Sequence, residues 1–459
     1  MTASRFVCAG CGAEPGLREP YPFRCPNAGR GDDVDHVLRR ELDLSAVSFP
    51  ADDGSEENPF VRYRTLLHAH HAGLEDAEFV SLVQGLDDAV ASVDGHGFRV
   101  TPFFRSEELS NELGFSAEGG VWVKDETGNV SGSHKARHLF DVLLWLETAD
   151  RLGLTGGERR DLAIASCGNA ALAAAVVAAA GERRLRVFVP VDAEPPVLKR
   201  LEELGALINV CERRPGVTGD PTVEALMRAL GEGALPFTCQ GNLNGLAVEG
   251  GYTLGWELAA SGVSLDRLVV QVGGGALASA VAAGLREARE LGALAHVPRL
   301  ETVQTEGAWP LRRAHEAVLA RGGSSALGYA ARHRHEFMWP WEQEPHSVAH
   351  GILDDETYDW VAVVEAMLAT GGRPLVVSEP ALVQANQLGR RATGVAADAT
   401  GTAGLAGLLA LREAGEVRDD ERVAVLFTGV DRTTDQDKGA RDAQLFREGH
   451  PLAEGIRAN

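Results

Sequence analysis

Short apolar runs alternate with longer helix-like segments from about Trp122 onward. The apolar runs are LAIAS (162–166), RVFVP (186–190), LINVC (207–211), RLVVQV (267–272) and RLETVQTE (299–306), and each one precedes a helix-like segment. Strands that alternate with helices predict parallel sheets with helices on both faces. The chain is therefore predicted to be an α/β protein of two lobes. In such folds, ligands bind where a strand ends and a helix begins.

The first hundred residues lack this alternation, so residues 1–100 are predicted to form an N-terminal accessory segment. Residues 101–459 are then expected to form a catalytic body of two α/β lobes, which suits a chain of 459 residues. The smaller lobe is expected at roughly 125–240.

The charge balance excludes one class of partner. The chain has 44 Lys and Arg against 66 Asp and Glu, a net charge of −22. This charge repels nucleic acid and acidic membrane surfaces. The longest apolar stretch, 170–180, is shorter than the ~18 residues of a membrane span. There is no secretory signal pattern, and the six cysteines are few for the chain's length, so a reducing cytoplasm is expected.

The loop GNVSGSHKAR (128–137) places Lys135 between a strand-like run and a helix-like one. Glycine and serine allow a ligand to approach the backbone closely. A lysine amine in a partly desolvated pocket becomes a nucleophile and forms a Schiff base with a carbonyl. The alternative is an ordinary surface lysine at the start of a helix.

The loop ASCGNAA (165–171) precedes an alanine-rich helix. Ser166, Cys167, Gly168 and Asn169 lie where backbone N–H groups at a helix N-terminus attract an anion such as a carboxylate. Asn169 is equally suited to be a plain N-cap.

Two further loops follow strands. VQVGGGALAS (270–279) contains Gly273, Gly274 and Gly275 before Ala276 and Leu277. This run is suited to cradle a phosphate, although it matches neither the dinucleotide nor the nucleoside-triphosphate pattern. A tight structural turn is the alternative.

The run RVAVLFTGVDR (422–432) ends a strand at Thr428, whose hydroxyl could bond a heterocyclic nitrogen. A reactive lysine, a carboxylate site, a phosphate cradle and a hydroxyl partner together match the aldehyde, phosphate and pyridine nitrogen of pyridoxal phosphate. This cofactor is therefore predicted, with a small amino acid as substrate.

The order of these motifs resembles the fold-type II pyridoxal-phosphate enzymes, and most of all threonine synthase and its relatives. The resemblance implies that Lys135 forms the Schiff base with the cofactor and that Asn169 bonds its phenolic oxygen. It also implies that residues 166–169 hold the substrate carboxylate, that residues 273–277 bind the phosphate and that Thr428 pairs with the pyridine nitrogen. A homodimer is expected from the same resemblance.

The implied reaction removes a group from an amino acid and then adds a nucleophile. One alternative is an amino-acid dehydratase or ammonia-lyase that gives a 2-keto acid. Alternatives of another class are a non-catalytic binding protein of this fold and a nucleotide-binding protein. The chain departs from the threonine synthase pattern at His134, where phenylalanine is usual, and in the ending Thr428–Arg432, TGVDR, where the family has T-G-H-G-x-K.

The N-terminus contains half of a zinc-ribbon pattern, with Cys8 and Cys11 followed by Cys25. A second C-x-x-C would need a cysteine at Ala28. Either His36 supplies a fourth zinc ligand, or the pattern is a degenerate remnant that holds the segment by turns and packing.

Overall fold

The computed structural model describes residues 3–16, 18–29, 32–51, 56–213 and 220–432. The strands in these residues are β1 Ser4–Cys8, β2 Leu38–Leu42, β3 Phe103–Ser106, β4 Gly120–Asp125, β5 Leu162–Ala165, β6 Leu185–Pro190, β7 Leu207–Cys211, β8 Leu235–Pro236, β9 Arg267–Gln271, β10 Arg299–Thr305, β11 Pro374–Val377 and β12 Arg422–Phe427. Each apolar run that was predicted to be a strand forms one, although β7, at the edge of its sheet, has no fully buried residue.

The helices in the described part of the chain are α1 Pro59–Arg62, α2 Asp76–Asp94, α3 Glu107–Glu112, α4 Lys135–Arg151, α5 Asn169–Ala180, α6 Pro195–Glu203, α7 Pro221–Gly231, α8 Leu246–Gly250, α9 Tyr252–Ala260, α10 Ala276–Glu290, α11 Pro310–Arg321, α12 Leu327–Ala330, α13 Trp360–Thr370, α14 Glu379–Thr393 and α15 Ala403–Glu413. Their starts follow familiar signals. For example, the Asp220 carboxylate caps α7 at the N–H of Thr222, and Pro221 occupies the first helical position.

Two sheets organise the body. The larger has six strands in the order β11-β10-β9-β12-β4-β3, and the smaller has four in the order β7-β6-β5-β8. All pairs are parallel except β3 with β4. The prediction of an α/β fold with parallel sheets is confirmed. The residue bounds given above for the lobes stay predictions.

The composition of helix α5 explains how closely it packs. Nine of its twelve residues, NAALAAAVVAAA, are buried, and their small side chains let it pack closely on α2 and α4. It ends at Gly181, where a Cβ would lie 2.5 Å from the Leu143 side chain. A bilayer span needs about 20 apolar residues. Within the described ranges, no helix is both long and apolar enough to cross a membrane.

The N-terminal segment is attached to the body through buried charges. Strands β1 and β2 form a separate antiparallel ribbon in which Phe6 is paired with Arg40. The Arg40 guanidinium contacts Glu249 at 2.6 Å and Glu287 at 2.7 Å, and the three side chains are nearly inaccessible to water. The ribbon is thereby fastened to helices α8 and α10.

Candidate active site

Three of the predicted loops meet because their strands are neighbours. Strand β12 lies between β9 and β4, and all three are parallel. The glycine loop follows β9, Thr428 follows β12 and the Lys135 loop follows β4. All three therefore leave the same edge of one sheet, where ligands bind in such folds. The fourth loop, before Asn169, reaches them from β5 of the smaller sheet.

Hydrogen bonds fix the Lys135 loop to the end of β12. The Val430 N–H donates to the Gly132 carbonyl at 2.9 Å, and the His134 N–H donates to the Thr428 carbonyl at 3.2 Å. Gly132 has a φ of 69°, and a Cβ there would lie 2.6 Å from the Val430 side chain. Glycine is thus required for the approach of the two segments, which brings Lys135 beside Thr428.

Lys135 is the first residue of α4 and is half-buried. Burial, with the Lys135 charge nearby, lowers the pKa of His134 well below its ordinary value. The same two causes lower the pKa of His138 to about 3. Both imidazoles are therefore uncharged near neutral pH, so the histidines add no positive charge next to Lys135.

Asn169 joins this group from the other sheet. The Arg432 guanidinium donates to the Asn169 Oδ1 and also to the Ser131 carbonyl. The Asn169 Nδ2 faces Gly429, since a Cβ at that glycine would lie 2.7 Å from it. The structure therefore brings Lys135, Asn169 and Thr428 together, as the sequence predicted for a shared site.

The rest of the predicted carboxylate loop is open to solvent. Ser166 and Gly168 are half-buried and Cys167 is exposed. They lie immediately before α5, whose first N–H groups are available to an anion. The loop is thus accessible to a small amino acid from outside.

The glycine loop leaves no space for side chains. A Cβ at Gly273 would lie 2.3 Å from the Asp354 Oδ2, and one at Gly274 would lie 2.8 Å from the Tyr358 ring. Gly275 has a φ of 97° and caps α10, so it too favours glycine. Close approach of another group to this backbone explains why three consecutive glycines stand here.

That close group includes a carboxylate that sequence reasoning missed. Asp354 accepts a hydrogen bond from the Gly274 N–H, and it lies close enough to interact electrostatically with Lys135. Burial, opposed by these two contacts, raises the pKa of Asp354 to about 6. The glycine loop therefore already binds an anion from the protein itself, as a phosphate cradle should. No local sequence signal links Asp354 to a glycine loop 80 residues earlier in the chain.

These residues fit pyridoxal phosphate. Lys135 offers an amine for the aldehyde, the glycine loop offers backbone donors for the phosphate, and Thr428 offers a hydroxyl at the end of β12. Gly273, Gly274, Gly275, Ala276 and Leu277 are the predicted phosphate-binding residues. The last two begin α10, whose N-terminus adds a favourable field for an anion.

A buried ion network lies beneath Lys135. Arg137 contacts Glu126 at 2.8 Å and Glu257 at 2.6 Å, and Lys124 contacts Glu257 at 2.6 Å. Thr101 completes the network, and its hydroxyl donates to Glu126. Arg137 belongs to the loop 128–137 described above, but Glu257 was missed, because it is 120 residues from Arg137 in sequence.

A second cluster lies at the N-terminus. The ligand atoms of Cys8, Cys11, Cys25 and His36 all lie within 4.8 Å of one another. The Cys8 Sγ is 3.5 Å from the His36 Nδ1, and the Cys11 Sγ is 3.5 Å from the Cys25 Sγ. The other His36 nitrogen bonds the Asp32 carboxylate at 2.8 Å. His36 therefore lies beside the three cysteines, at the position that one of the two sequence alternatives required of a fourth ligand.

The chain is similar to known proteins over most of its length. A family model described as "Pyridoxal-phosphate dependent enzyme" matches residues 96–429. The threonine synthase of Methanosarcina acetivorans is 25% identical over 427 residues, which cover 92% of this chain and 90% of that protein. The threonine synthase of Methanocaldococcus jannaschii is 24% identical over 331 residues, 72% of this chain and 74% of that protein. The predicted resemblance is confirmed.

Solved structures share the fold at lower identity. Maize serine racemase has a TM-score of 0.57 at 18% identity, covering 80% of this chain and 99% of its own. Threonine deaminase isoform 2 of Solanum lycopersicum has a TM-score of 0.56 at 16% identity, covering 80% of this chain and 93% of its own. These similarities confirm the predicted fold.

Proposed function

Because the chain belongs to the family of pyridoxal-phosphate dependent enzymes, we propose that it is a threonine synthase-like lyase. It removes a group from a small amino acid and then adds a nucleophile to the same carbon skeleton. The observation that carries this proposal is the meeting of Lys135, Thr428 and the glycine loop on three neighbouring parallel strands.

Each group of the site has a part in this reaction. Lys135 would hold pyridoxal phosphate by its aldehyde, and the Lys135 amine would be the base that takes the α-proton of the substrate. The open loop at Ser166, Cys167, Gly168 and Asn169 binds the substrate carboxylate through the N-terminus of α5. Pyridoxal phosphate, when bound, supplies an electron sink for the negative charge that develops at the α-carbon.

The visible absorption of the purified protein tests this proposal. Wild type should show the absorption of lysine-bound pyridoxal phosphate, and Lys135→Ala should lose it. Lys199→Ala is the matched control, because Lys199 is an exposed lysine whose side chain is 78% accessible. A wild type that stays colourless after pyridoxal phosphate is added would refute the proposal.

A panel of amino acids then names the substrate class. O-phosphohomoserine, O-phosphoserine, threonine and serine are added first, and a change in the absorption identifies binding. Formation of a 2-keto acid supports the second candidate, an amino-acid dehydratase. This candidate is favoured by Arg432, whose guanidinium is already bonded to Asn169 and Ser131 and is not free to bind a substrate phosphate.

We also propose that the protein is a cytoplasmic homodimer. All six cysteines are free thiols, which suits a reducing compartment. Light scattering coupled to size-exclusion chromatography measures the mass. A single-chain mass at working concentration would contradict the dimer.

The N-terminal cluster is proposed to bind zinc. Zn–S bonds of about 2.3 Å in a tetrahedral site place ligand atoms about 3.7 Å apart, close to the 3.5 Å separations in this cluster. Asp32 supports the ring orientation of His36, as carboxylates do for metal-bound histidines. Three thiolates and an imidazole form a closed structural site.

Metal analysis by mass spectrometry tests the zinc site. Wild type is expected to hold one zinc per chain, and both Cys25→Ser and His36→Ala should lose it. Cys211→Ser is the control, because Cys211 is a half-buried thiol outside the cluster. Zinc retained in full by Cys25→Ser would contradict the assignment.

A further inference from the structure

Gln271 connects the glycine loop to the end of β12. It is the last residue of β9, two positions before Gly273, and only 3% of its surface is exposed. Its Nε2 lies 2.9 Å from the Gly401 carbonyl, 3.2 Å from the Leu426 carbonyl and 2.7 Å from the Thr428 hydroxyl oxygen, so its two hydrogens are shared among three acceptors. A buried amide thus contacts the hydroxyl that ends β12.

The two carbonyls determine which way the amide points. A carbonyl oxygen only accepts hydrogen bonds, so the atom of Gln271 that faces Gly401 and Leu426 must be the NH₂ nitrogen. That nitrogen has no free lone pair, so it cannot accept a hydrogen bond from Thr428. At this contact the Thr428 Oγ1 can therefore only be the acceptor, and its own hydrogen must point elsewhere.

We propose that Gln271 is a positioning residue that makes Thr428 a fixed hydrogen-bond donor to the pyridine nitrogen of the cofactor. This inference rests on the proposed function. Among the described residues, the Thr428 Oγ1 has no side-chain or backbone acceptor for its hydrogen, since Gln271 is its sole hydrogen-bond partner. The pyridine nitrogen has a lone pair that can accept that hydrogen, and a neutral donor leaves the nitrogen unprotonated.

A change of Gln271 should act through Thr428. Gln271→Met keeps the length of the side chain but removes both N–H donors. The Gly401 and Leu426 carbonyls then lose their bond to the amide, although Gly401 keeps the Thr428 N–H at 3.4 Å, so both carbonyls compete with the cofactor for the Thr428 hydroxyl. Thr428→Val removes the hydroxyl itself while keeping the shape of the side chain. Both changes should therefore remove the same contact to the cofactor.

A double-mutant cycle tests this dependence. Apoprotein is titrated with pyridoxal phosphate, and the Kd is read from the absorption. Gln271→Met and Thr428→Val should each raise the Kd about tenfold, the effect of one lost hydrogen bond. In the Thr428→Val background, Gln271→Met should raise the Kd little further. Independent effects, with a double mutant about a hundredfold weaker, would overturn the inference.

Gln304→Met is the matched control. Gln304 is equally buried, lies on the neighbouring strand β10, and accepts from the N–H groups of Leu311 and Arg312 at the start of α11. Its change should leave the Kd for pyridoxal phosphate unaltered. A tenfold effect at Gln304 would show that any lost buried amide weakens the site, and would contradict a specific role of Gln271.

A measurement on the wild-type protein does not depend on whether a variant folds. With ¹⁵N-labelled pyridoxal phosphate, the pyridine nitrogen should resonate as an unprotonated, hydrogen-bonded nitrogen. A protonated resonance would overturn the inference while leaving the proposed function intact. A wild type that binds no pyridoxal phosphate would instead refute both.

Discussion

Replacing Glu257 by glutamine should destabilise the protein severely, because it breaks the buried network beneath Lys135. The network holds two positive groups, Lys124 and Arg137, and two carboxylates, Glu126 and Glu257. Its formal charge is zero. Glu257→Gln leaves one positive charge without compensation in a region where these side chains are at most 1% accessible.

The expected magnitude follows from the contacts that are lost. The Glu257 carboxylate accepts from Lys124 at 2.6 Å and from two nitrogens of Arg137 at 2.6 and 3.1 Å. A glutamine of the same size has one oxygen and one NH₂ group in place of the two carboxylate oxygens. Its NH₂ group must therefore face at least one of these donors, and two hydrogen-bond donors then oppose each other. Removing one partner of a buried ion pair costs about 3 to 5 kcal/mol in the free energy of unfolding.

Equilibrium unfolding in urea measures this loss. Lys124→Met combined with Glu257→Gln restores neutrality and should recover part of the stability, since an apolar replacement of a buried pair is often tolerated. Glu112→Gln is the control, because Glu112 pairs with Arg391 at the surface and should change the free energy by less than about 1 kcal/mol. A loss below about 1 kcal/mol in Glu257→Gln, or no recovery in the double variant, would refute the reasoning.

Two further predictions concern Asp354 and Asp359, two aspartates near the site whose pKa is raised. Asp354→Asn should bind pyridoxal phosphate about tenfold more tightly at pH 8, because the carboxylate that competes for the glycine loop is neutralised. The control is Asp355→Asn, a change at an exposed neighbour. An unchanged Kd for Asp354→Asn would contradict the prediction. Burial raises the pKa of Asp359 to about 7, so its protonation stabilises the native state at low pH and that stability is lost between about pH 4 and pH 7. Asp359→Asn should therefore reduce the fall in unfolding free energy between pH 5 and pH 8 by roughly 2 to 3 kcal/mol, measured in urea, and an equal fall in both proteins would count against it.

Local patterns of the sequence predicted the elements and the loops, but not the contacts between them. Strand β7 was predicted with its observed bounds, LINVC at Leu207–Cys211, because turn signals and apolar runs are local. The order β9-β12-β4 was not predicted, since it depends on pairings between segments far apart in sequence, such as Val423 with Arg267 and Val423 with Val121. Asp354 and Glu257 were missed for the same reason. Each acquires its role from a partner that only the fold brings near.

In both polar contacts expected for the cofactor, the protein is the hydrogen-bond donor. In each case a neighbouring residue determines this direction. Arg432 can only donate, so the Asn169 atom that it contacts must be the oxygen, and the Asn169 nitrogen is left as a donor beside Gly429. The Gln271 amide likewise leaves Thr428 with a hydrogen to donate. The phenolic oxygen and the pyridine nitrogen of pyridoxal phosphate both accept hydrogen bonds. A site with both donors oriented in advance is therefore complementary to this cofactor in its ionised, unprotonated form, and Arg432 and Gln271 are the residues that make it so.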